Sequence, residues 1–419
     1  MSQPLYKSRP DAFDIAPARK DRARVVNEFI HLSEGLSNSY LISTSEGRIV
    51  VNTGMGFEGP IRKEIYDSVD PSPTRYIILT QGHVDHVGGV DLFFEDGTEV
   101  VAHANNGEHQ AYDARLQPFR TARSYFAFAE AIDAAGRDPD MRRLSGAARQ
   151  STPTPTRIFE DRDSFRLGDL EVELFWTPGG ETRDSLIIWL PQHRICFTGN
   201  LFSALFGHIP NLVTIRGDRY RDALEFVASA DRVLALEPEL LLVGHGGPVE
   251  GTALIRSEIE RVRDATQYLH DEVVRGMNEQ RTVHELMRDI RLPPELEVGE
   301  GYGKVSWDVR AIWEHYAGWF HQASTTELYD LSPRAVHGDL AELAGGPGPI
   351  AVRARERLES GDAVGALHLA EVALAADDSH REALDVSLGA HRALEGASVN
   401  FWETKWLRHR IAELEKKRA

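Results

Sequence analysis

Two histidines and an aspartate fall within four residues of one another in Thr80-Gln-Gly-His-Val-Asp-His-Val-Gly-Gly89. Imidazole and carboxylate are preferred ligands for zinc, iron and manganese, so His83, Asp85 and His86 on one glycine-closed loop can converge on a cation. A solvated polar loop is the plain alternative. It fits less well, because an apolar strand-like run leads into the motif and an amphipathic helix follows its glycines. Water on such a cation ionises near neutral pH, and the resulting hydroxide is placed to attack an electrophilic ester.

A ligand loop of this kind needs a rigid frame. Short β-branched or aromatic runs supply one: Gly47-Arg-Ile-Val-Val-Asn, Arg75-Tyr-Ile-Ile-Leu-Thr, Thr98-Glu-Val-Val-Ala-His, Leu170-Glu-Val-Glu-Leu-Phe-Trp, Ser185-Leu-Ile-Ile-Trp-Leu, Arg194-Ile-Cys-Phe-Thr and Leu240-Leu-Leu-Val. Each is closed by a turn residue or a polar stretch, and helical stretches lie between them, which predicts an α/β domain over 25–255. Residues 1–24, polar and rich in Arg, Lys and Pro, read as an arm over that domain. Residues 108–150 lack strand patterning and read as a helical insertion, with the loop Ser151-Thr-Pro-Thr-Pro-Thr behind it. From 252 onward helical periodicity takes over, through 255–277, 283–290 and 307–320, giving a helical extension over 256–345. Leu343-Ala-Gly-Gly-Pro-Gly-Pro-Ile is the strongest linker pattern, and an all-helical region over 346–419 follows. Part of that region is similar to a single tetratricopeptide hairpin, and its Leu358, Leu367, Leu369, Val372 and Leu374 need a surface to pack against.

Composition narrows the function. A chain of 419 residues has room for one large domain and a smaller one. A formal net charge of −18 argues against a nucleic-acid surface, which needs a basic face. Cys196 is the single cysteine, so no intrachain disulfide forms, and its apolar run reads as buried. The start of the chain lacks the apolar stretch of a secretory signal, and no run approaches the roughly 20 apolar residues of a bilayer span. A cytoplasmic protein acting on a small molecule is the expectation.

The ligand loop also carries a resemblance. His83-x-Asp85-His86-x-Gly88-Gly89 resembles the signature of the metallo-β-lactamase superfamily, in which another histidine stands two residues earlier. Asn52-Thr-Gly resembles the superfamily's Asp-Thr-Gly turn, Thr177-Pro-Gly-Gly-Glu-Thr its Thr-Pro-Gly-His-Thr turn, and Phe197-Thr-Gly-Asn its Phe-Thr-Gly-Asp turn. Val243-Gly-His245 matches the final histidine loop. The resemblance implies an αββα sandwich, here followed by an all-helical C-terminal domain. It also implies two metal sites. The second, built from an aspartate, a histidine and the last histidine, is present as Asp85, His86 and His245. The first is altered: Gln81 stands for a histidine and Gly180 for another. Asn200 replaces the aspartate that bridges the two ions.

A narrower resemblance, to the alkyl sulfatases, supplies a substitute. Those proteins carry a glutamate one position past the usual histidine, which here is Glu181. Asn211-Leu-Val-Thr-Ile-Arg-Gly217, Gly301-Tyr-Gly-Lys-Val-Ser and the Tyr-Ala-Gly-Trp of 316–319 are similar to further stretches of that subfamily. Its dimerisation domain resembles the helical tail, implying a homodimer, and no counterpart of its terminal sterol-carrier-like domain is seen. The expected centre holds one or two zinc ions, with iron or manganese as options. Its ligands are His83, Asp85, His86, Glu181 and His245, with Gln81 and Asn200 as weak amide ligands. Asp85 also orients the attacking water, Tyr302 donates a proton, and Arg216 with Asn211 binds an anionic ester. An arginine merely paired with Asp218 or Asp222 is the alternative at Arg216, and a structural role is expected for His208. The leading function is hydrolysis of an ester, of the alkyl sulfate type. An iron-dependent oxidoreductase on the same fold and a degenerate non-catalytic member are the alternatives.

Overall fold

The computed structural model describes residues 3–418; the first two residues of the expected arm and residue 419 lie outside them. By compactness the chain divides after Tyr316, inside the stretch read above as a helical extension, and each unit is described by itself.

Among the described residues, the first unit contains two sheets. One runs in sequence order through β1 (Ala23–Val25), β2 (Ile30–Ser33), β3 (Ser39–Thr44), β4 (Gly47–Val51), β5 (Thr74–Ile78), β6 (Glu99–His103) and β7 (Arg157–Phe159). It is antiparallel up to β4 and parallel from β4 to β7. The other is formed by β8 (Arg162–Leu167), β9 (Leu170–Trp176), β10 (Leu186–Leu190), β11 (Ile195–Gly199), β12 (Leu240–Val243) and β13 (Val249–Glu250), with β11 and β12 parallel.

Strand alternation decides what each face meets. Tyr40 and Ile42 of β3, with Ile49 and Val51 of β4, face Leu174, Ile188, Phe197 and Leu242 across the space between the sheets. The intervening Leu41 and Val50 face outward, against α1 (Gly59–Val69) and its Ile61, Ile65 and Tyr66. On the far side Ile187, Trp189 and Cys196 pack beneath helices that include 223–236 and 252–278. This is the expected αββα order. Cys196 is fully buried, and burial pushes its thiol far above the usual range. The ligand loop ends in the short helices α2 (Val84–Val87) and α3 (Val90–Phe93), and the insertion is the long helix α4 (Asn106–Arg137) followed by α5 (Pro139–Leu144).

The N-terminal arm lies on this unit through backbone-anchoring bonds: Leu5 N–H to Glu258 at 3.0 Å and Ala18 N–H to the buried Glu58 at 2.8 Å. The second unit is helical. Gly345-Gly346-Pro347 forms a turn between helices 337–343 and 347–359 of this one unit; Gly346 is the N-cap, and Pro347 sits at N1, where its missing N–H costs nothing. Leu358, Leu367, Leu369, Val372 and Leu374 find their partners inside the unit, against an alanine-rich core of Ala354, Ala366, Ala370 and Ala373. No described helix is long and apolar enough to cross a membrane.

Candidate metal centre

Both sheets present their ligand-bearing loops at strand C-termini. Gln81, His83, Asp85 and His86 follow β5, Glu181 follows β9, Asn200 follows β11 and His245 follows β12. The ligand loop is fixed from behind by Asn52 and Thr53. The Asn52 side chain accepts from Thr80 N–H and donates to Thr80 Oγ1, both at 2.9 Å, while Thr53 N–H donates to the His86 carbonyl at 2.7 Å. Ser37 adds a hydrogen bond to the Asp85 carbonyl. The Asn-Thr-Gly turn thus holds the backbone of the ligands rather than the ion.

Asp85, His86 and His245 converge, each offering an atom within 4.8 Å of the others'. A tetrahedral ion with bonds of ~2.1 Å places its ligand atoms about 3.4 Å apart, and Asp85 Oδ2 already stands 3.5 Å from His86 Nε2. Burial lowers the pKa of His86 to about 4 against the opposing pull of Asp85, and burial likewise lowers that of His245, so both imidazoles are neutral and able to ligate. Burial works against ionisation of Asp85, yet His86, His83 and His245 hold its carboxyl below the usual range. Beside this trio Asn200 Oδ1 and His245 Nδ1 are buried without hydrogen-bond partners, a cost of roughly 1–3 kcal/mol each unless something occupies the site. These residues fit a divalent metal. Asn200 Nδ2 lies 3.2 Å from His86 Nε2, so its amide group is within reach of the same ion.

The other half of the site is differently wired. Gln81 Nε2 stands 2.9 Å from His83 Nδ1, and Glu181 Oε1 is 3.3 Å from the same nitrogen. Glu181 also forms a buried pair with Arg221, Oε2 to Nη1 at 2.7 Å. Burial opposes the Glu181 charge, but Arg221 and then His83 bring its pKa to about 2. Burial also opposes a charge on His83, but hydrogen bonds to Asp218 and Glu181 prevail and raise its pKa to about 9. Gly180 explains why no histidine stands one residue earlier: a Cβ there would lie 1.9 Å from the Leu201 carbonyl oxygen.

Arg216 reaches the centre, with Nη2 3.4 Å from His83 Nε2 and 3.9 Å from Asp218 Oδ2. Both readings of that arginine therefore hold at once: it faces the site and neighbours Asp218. Tyr302 is pushed up to about 12 by burial, with Arg216 pulling the other way and Glu181 and Asp85 adding to the rise, which places the phenol in the same electrostatic environment. His208 acts on the backbone, its Nδ1 accepting from Gly301 N–H at 2.9 Å, next to Tyr302. Asn211 is buried, and its carbonyl accepts from Arg221 at 2.6 Å.

Sequence reading missed Arg221, Arg120 and His109. His109 lies edge-on to His83, with ring centres 5.1 Å apart, and Arg120 is 3.0 Å from Asp218. Arg221 and Asp218 sit beside the Arg216 motif, which was the available signal; the helix residues had none.

Comparisons with known proteins fit this geometry. The metallo-beta-lactamase superfamily profile matches residues 32–245, and the alkyl sulfatase dimerisation profile matches residues 282–417. A linear primary-alkylsulfatase of Pseudomonas sp. is 29% identical over 90% of this chain and 74% of its own length. An alkyl/aryl-sulfatase of Saccharomyces cerevisiae is 24% identical over 89% of this chain, which spans 60% of that relative. The solved structure of a stereoselective inverting sec-alkylsulfatase from Pseudomonas sp. superposes with a TM-score of 0.81 at 22% identity, covering 94% of this chain and 66% of that one, and so shares the fold. With the sandwich, the ligand loops and more than half of its length matched, the chain belongs to the metallo-β-lactamase superfamily, among its alkylsulfatase-like members.

Proposed function

We propose that the chain is a metal-dependent hydrolase of anionic esters, with an alkyl sulfate as the leading substrate class. The observation that carries this reading is the Asp85–His86–His245 trio with the Arg216 guanidinium beside it. A bound divalent ion supplies Lewis acidity and a water that ionises near neutral pH. Zinc suits two imidazoles and a carboxylate best, with iron or manganese compatible. One ion at the trio satisfies the charge present, because Glu181 is already paired with Arg221 and Gln81 is neutral.

Asp85 acts twice, as a ligand and as the acceptor that orients the attacking water. Arg216 binds the ester's anionic oxygens, in a buried setting where a charge-assisted hydrogen bond is strong. Tyr302 keeps its proton at neutral pH, which suits it to the role of proton donor to the leaving oxygen. The named relatives are sulfatases, which favours sulfate over phosphate. The test is a panel of sulfate, phosphate, carboxylic and thioester substrates, run with elemental analysis of the purified protein. Chelator-sensitive turnover of sulfate esters is expected. Turnover confined to neutral esters, or retained without metal, overturns the reading.

We also propose a two-fold homodimer formed through the second unit. The dimerisation profile supports it, as does an exposed apolar stretch on that unit: Trp319 at 71%, Tyr329 at 69% and Leu343 at 85%. Sedimentation of Tyr329→Glu and Leu343→Glu should show monomers where the wild type is dimeric. Unchanged dimers would place the interface elsewhere.

A further inference from the structure

The segment carrying Arg216 has no regular structure between Asn211 and Asp222 and takes its shape from what it leans on. It turns at Thr214–Gly217, closed by Gly217 N–H to the Thr214 carbonyl at 3.0 Å, with Gly217 at φ +87°. Four residues of α4 grip it. Arg123 donates from Nε to the Arg216 carbonyl at 2.8 Å and from Nη2 to the Ile215 carbonyl at 2.5 Å. Arg120 donates to Asp218 at 3.0 Å and also pairs with Asp113 on its own helix. Glu108 accepts from Arg219 at 3.0 Å, and the Arg219 guanidinium lies over the Tyr112 ring at 4.5 Å. At 100° per residue, positions 108, 112, 120 and 123 fall within an arc of about 120°, so one face of the helix does all the gripping.

The Arg123 fork has a specific consequence. The Ile215 and Arg216 carbonyls belong to the two peptide planes that flank the Arg216 Cα. Holding both planes fixes φ and ψ at that residue, and with them the direction in which its side chain leaves the backbone. Arg120 meanwhile holds Asp218, whose carboxylate faces both His83 Nε2 at 3.6 Å and Arg216 Nη2 at 3.9 Å.

We infer that the insertion helix positions the anion site: Arg123 and Arg120 fix the 215–218 segment so that the Arg216 guanidinium is presented beside His83 before an anionic ester arrives. The inference rests on Arg216 being the anion ligand. Arg123 and Arg120 are positioning residues that act through the loop. Their contribution lies in affinity, because the ordering of the loop is complete before binding.

The experiment uses the full-length, metal-loaded protein and two readouts: calorimetric titration with inorganic sulfate, and steady-state turnover of a sulfate ester and a neutral carboxylic ester. Arg123→Ala should weaken sulfate binding and raise KM for the sulfate ester by about three- to tenfold, the scale of losing one or two hydrogen bonds. Its kcat on the neutral ester and its metal content should stay at wild-type levels. Because Arg123 is exposed, its removal leaves no cavity, and Arg123→Gln provides a second variant. Arg123→Lys keeps the charge without the fork and should rescue only in part, with the defect persisting at high salt, where a simple charge effect is screened. Arg216→Ala should abolish sulfate binding in the same titration. Sulfate binding unchanged in Arg216→Ala would remove the anion reading itself. Loss in Arg216→Ala with wild-type sulfate affinity in Arg123→Ala, Arg123→Gln and Arg120→Gln would overturn the positioning role alone, as would full rescue by Arg123→Lys.

Discussion

The two halves of the centre share one loop and differ in what surrounds it. In one half, Asp85, His86 and His245 face each other with lowered imidazole pKa values and the unpartnered amide oxygen of Asn200 nearby. In the other, Gln81, His83 and Glu181 also converge, but Arg221 and Asp218 have already satisfied the ionisable groups. Convergence alone does not make a metal site. A cation is held where ligand charge and lone pairs are left unspent, and a carboxylate paired with a guanidinium has spent its charge.

The sharpest way to break this comparison is to remove a ligand from the open half. His86→Ala or His245→Ala should abolish both metal content and turnover, and full metal stoichiometry in both variants would refute the assignment. Next in size is Arg216→Ala. A charge-assisted hydrogen bond is worth roughly 1.5–3 kcal/mol, about ten- to a hundredfold in rate. Sulfate and phosphate esters should lose that factor while a neutral ester or thioester is little affected. Equal losses on both kinds of substrate would mean that the arginine is structural.

A pH experiment separates the halves by proton. His83 has its pKa raised to about 9, above the ordinary 6.5, so in the metal-free protein its interactions stabilise the fold fully below pH 6.5 and fade as pH rises through 9. Relative to His83→Gln, the metal-free wild type should lose on the order of 3 kcal/mol between pH 6.5 and 9.5 in denaturant titrations. A pH-independent difference would show that His83 is neutral. The smallest effect is expected from Gln81→His, which restores an imidazole to the closed half and should raise occupancy from one ion toward two per chain. Because Glu181 stays paired with Arg221, the second ion should remain the weaker. Unchanged stoichiometry by elemental analysis would mean that this pair, or Asn200, limits the site.

Much of this was legible in the chain. Short β-branched runs marked β4, β5, β6, β9, β10, β11 and β12 within a residue or two, because each is apolar and bounded by turns. β2 and β3 were missed: Ile-His-Leu-Ser and Ser-Tyr-Leu-Ile-Ser-Thr mix half-buried His31, Ser43 and Thr44 with Ser33 and Ser39, polar residues that the sheet buries all the same. The double glycine near 345 looked like a boundary on composition alone, yet it is a helix–helix turn, since compact units are decided by contacts that composition does not encode. The same applies to the leucines of the tail, whose partners lie within the second unit, in clusters built largely from alanines.

What the sequence by itself determined is the frame and the loop on which the candidate ligands lie. Asp85 and His86 are one residue apart on a loop that a strand must precede and a helix follow, and local spacing is enough to bring such groups together. What only the tertiary structure decided is the charge state of the centre. Arg221 lies 40 positions from Glu181, and Arg120 lies 98 from Asp218. Whether a buried carboxylate is free to hold a metal depends on a guanidinium folded against it from that distance along the chain, because electrostatic neutralisation acts through space at a few ångströms and takes no account of sequence separation.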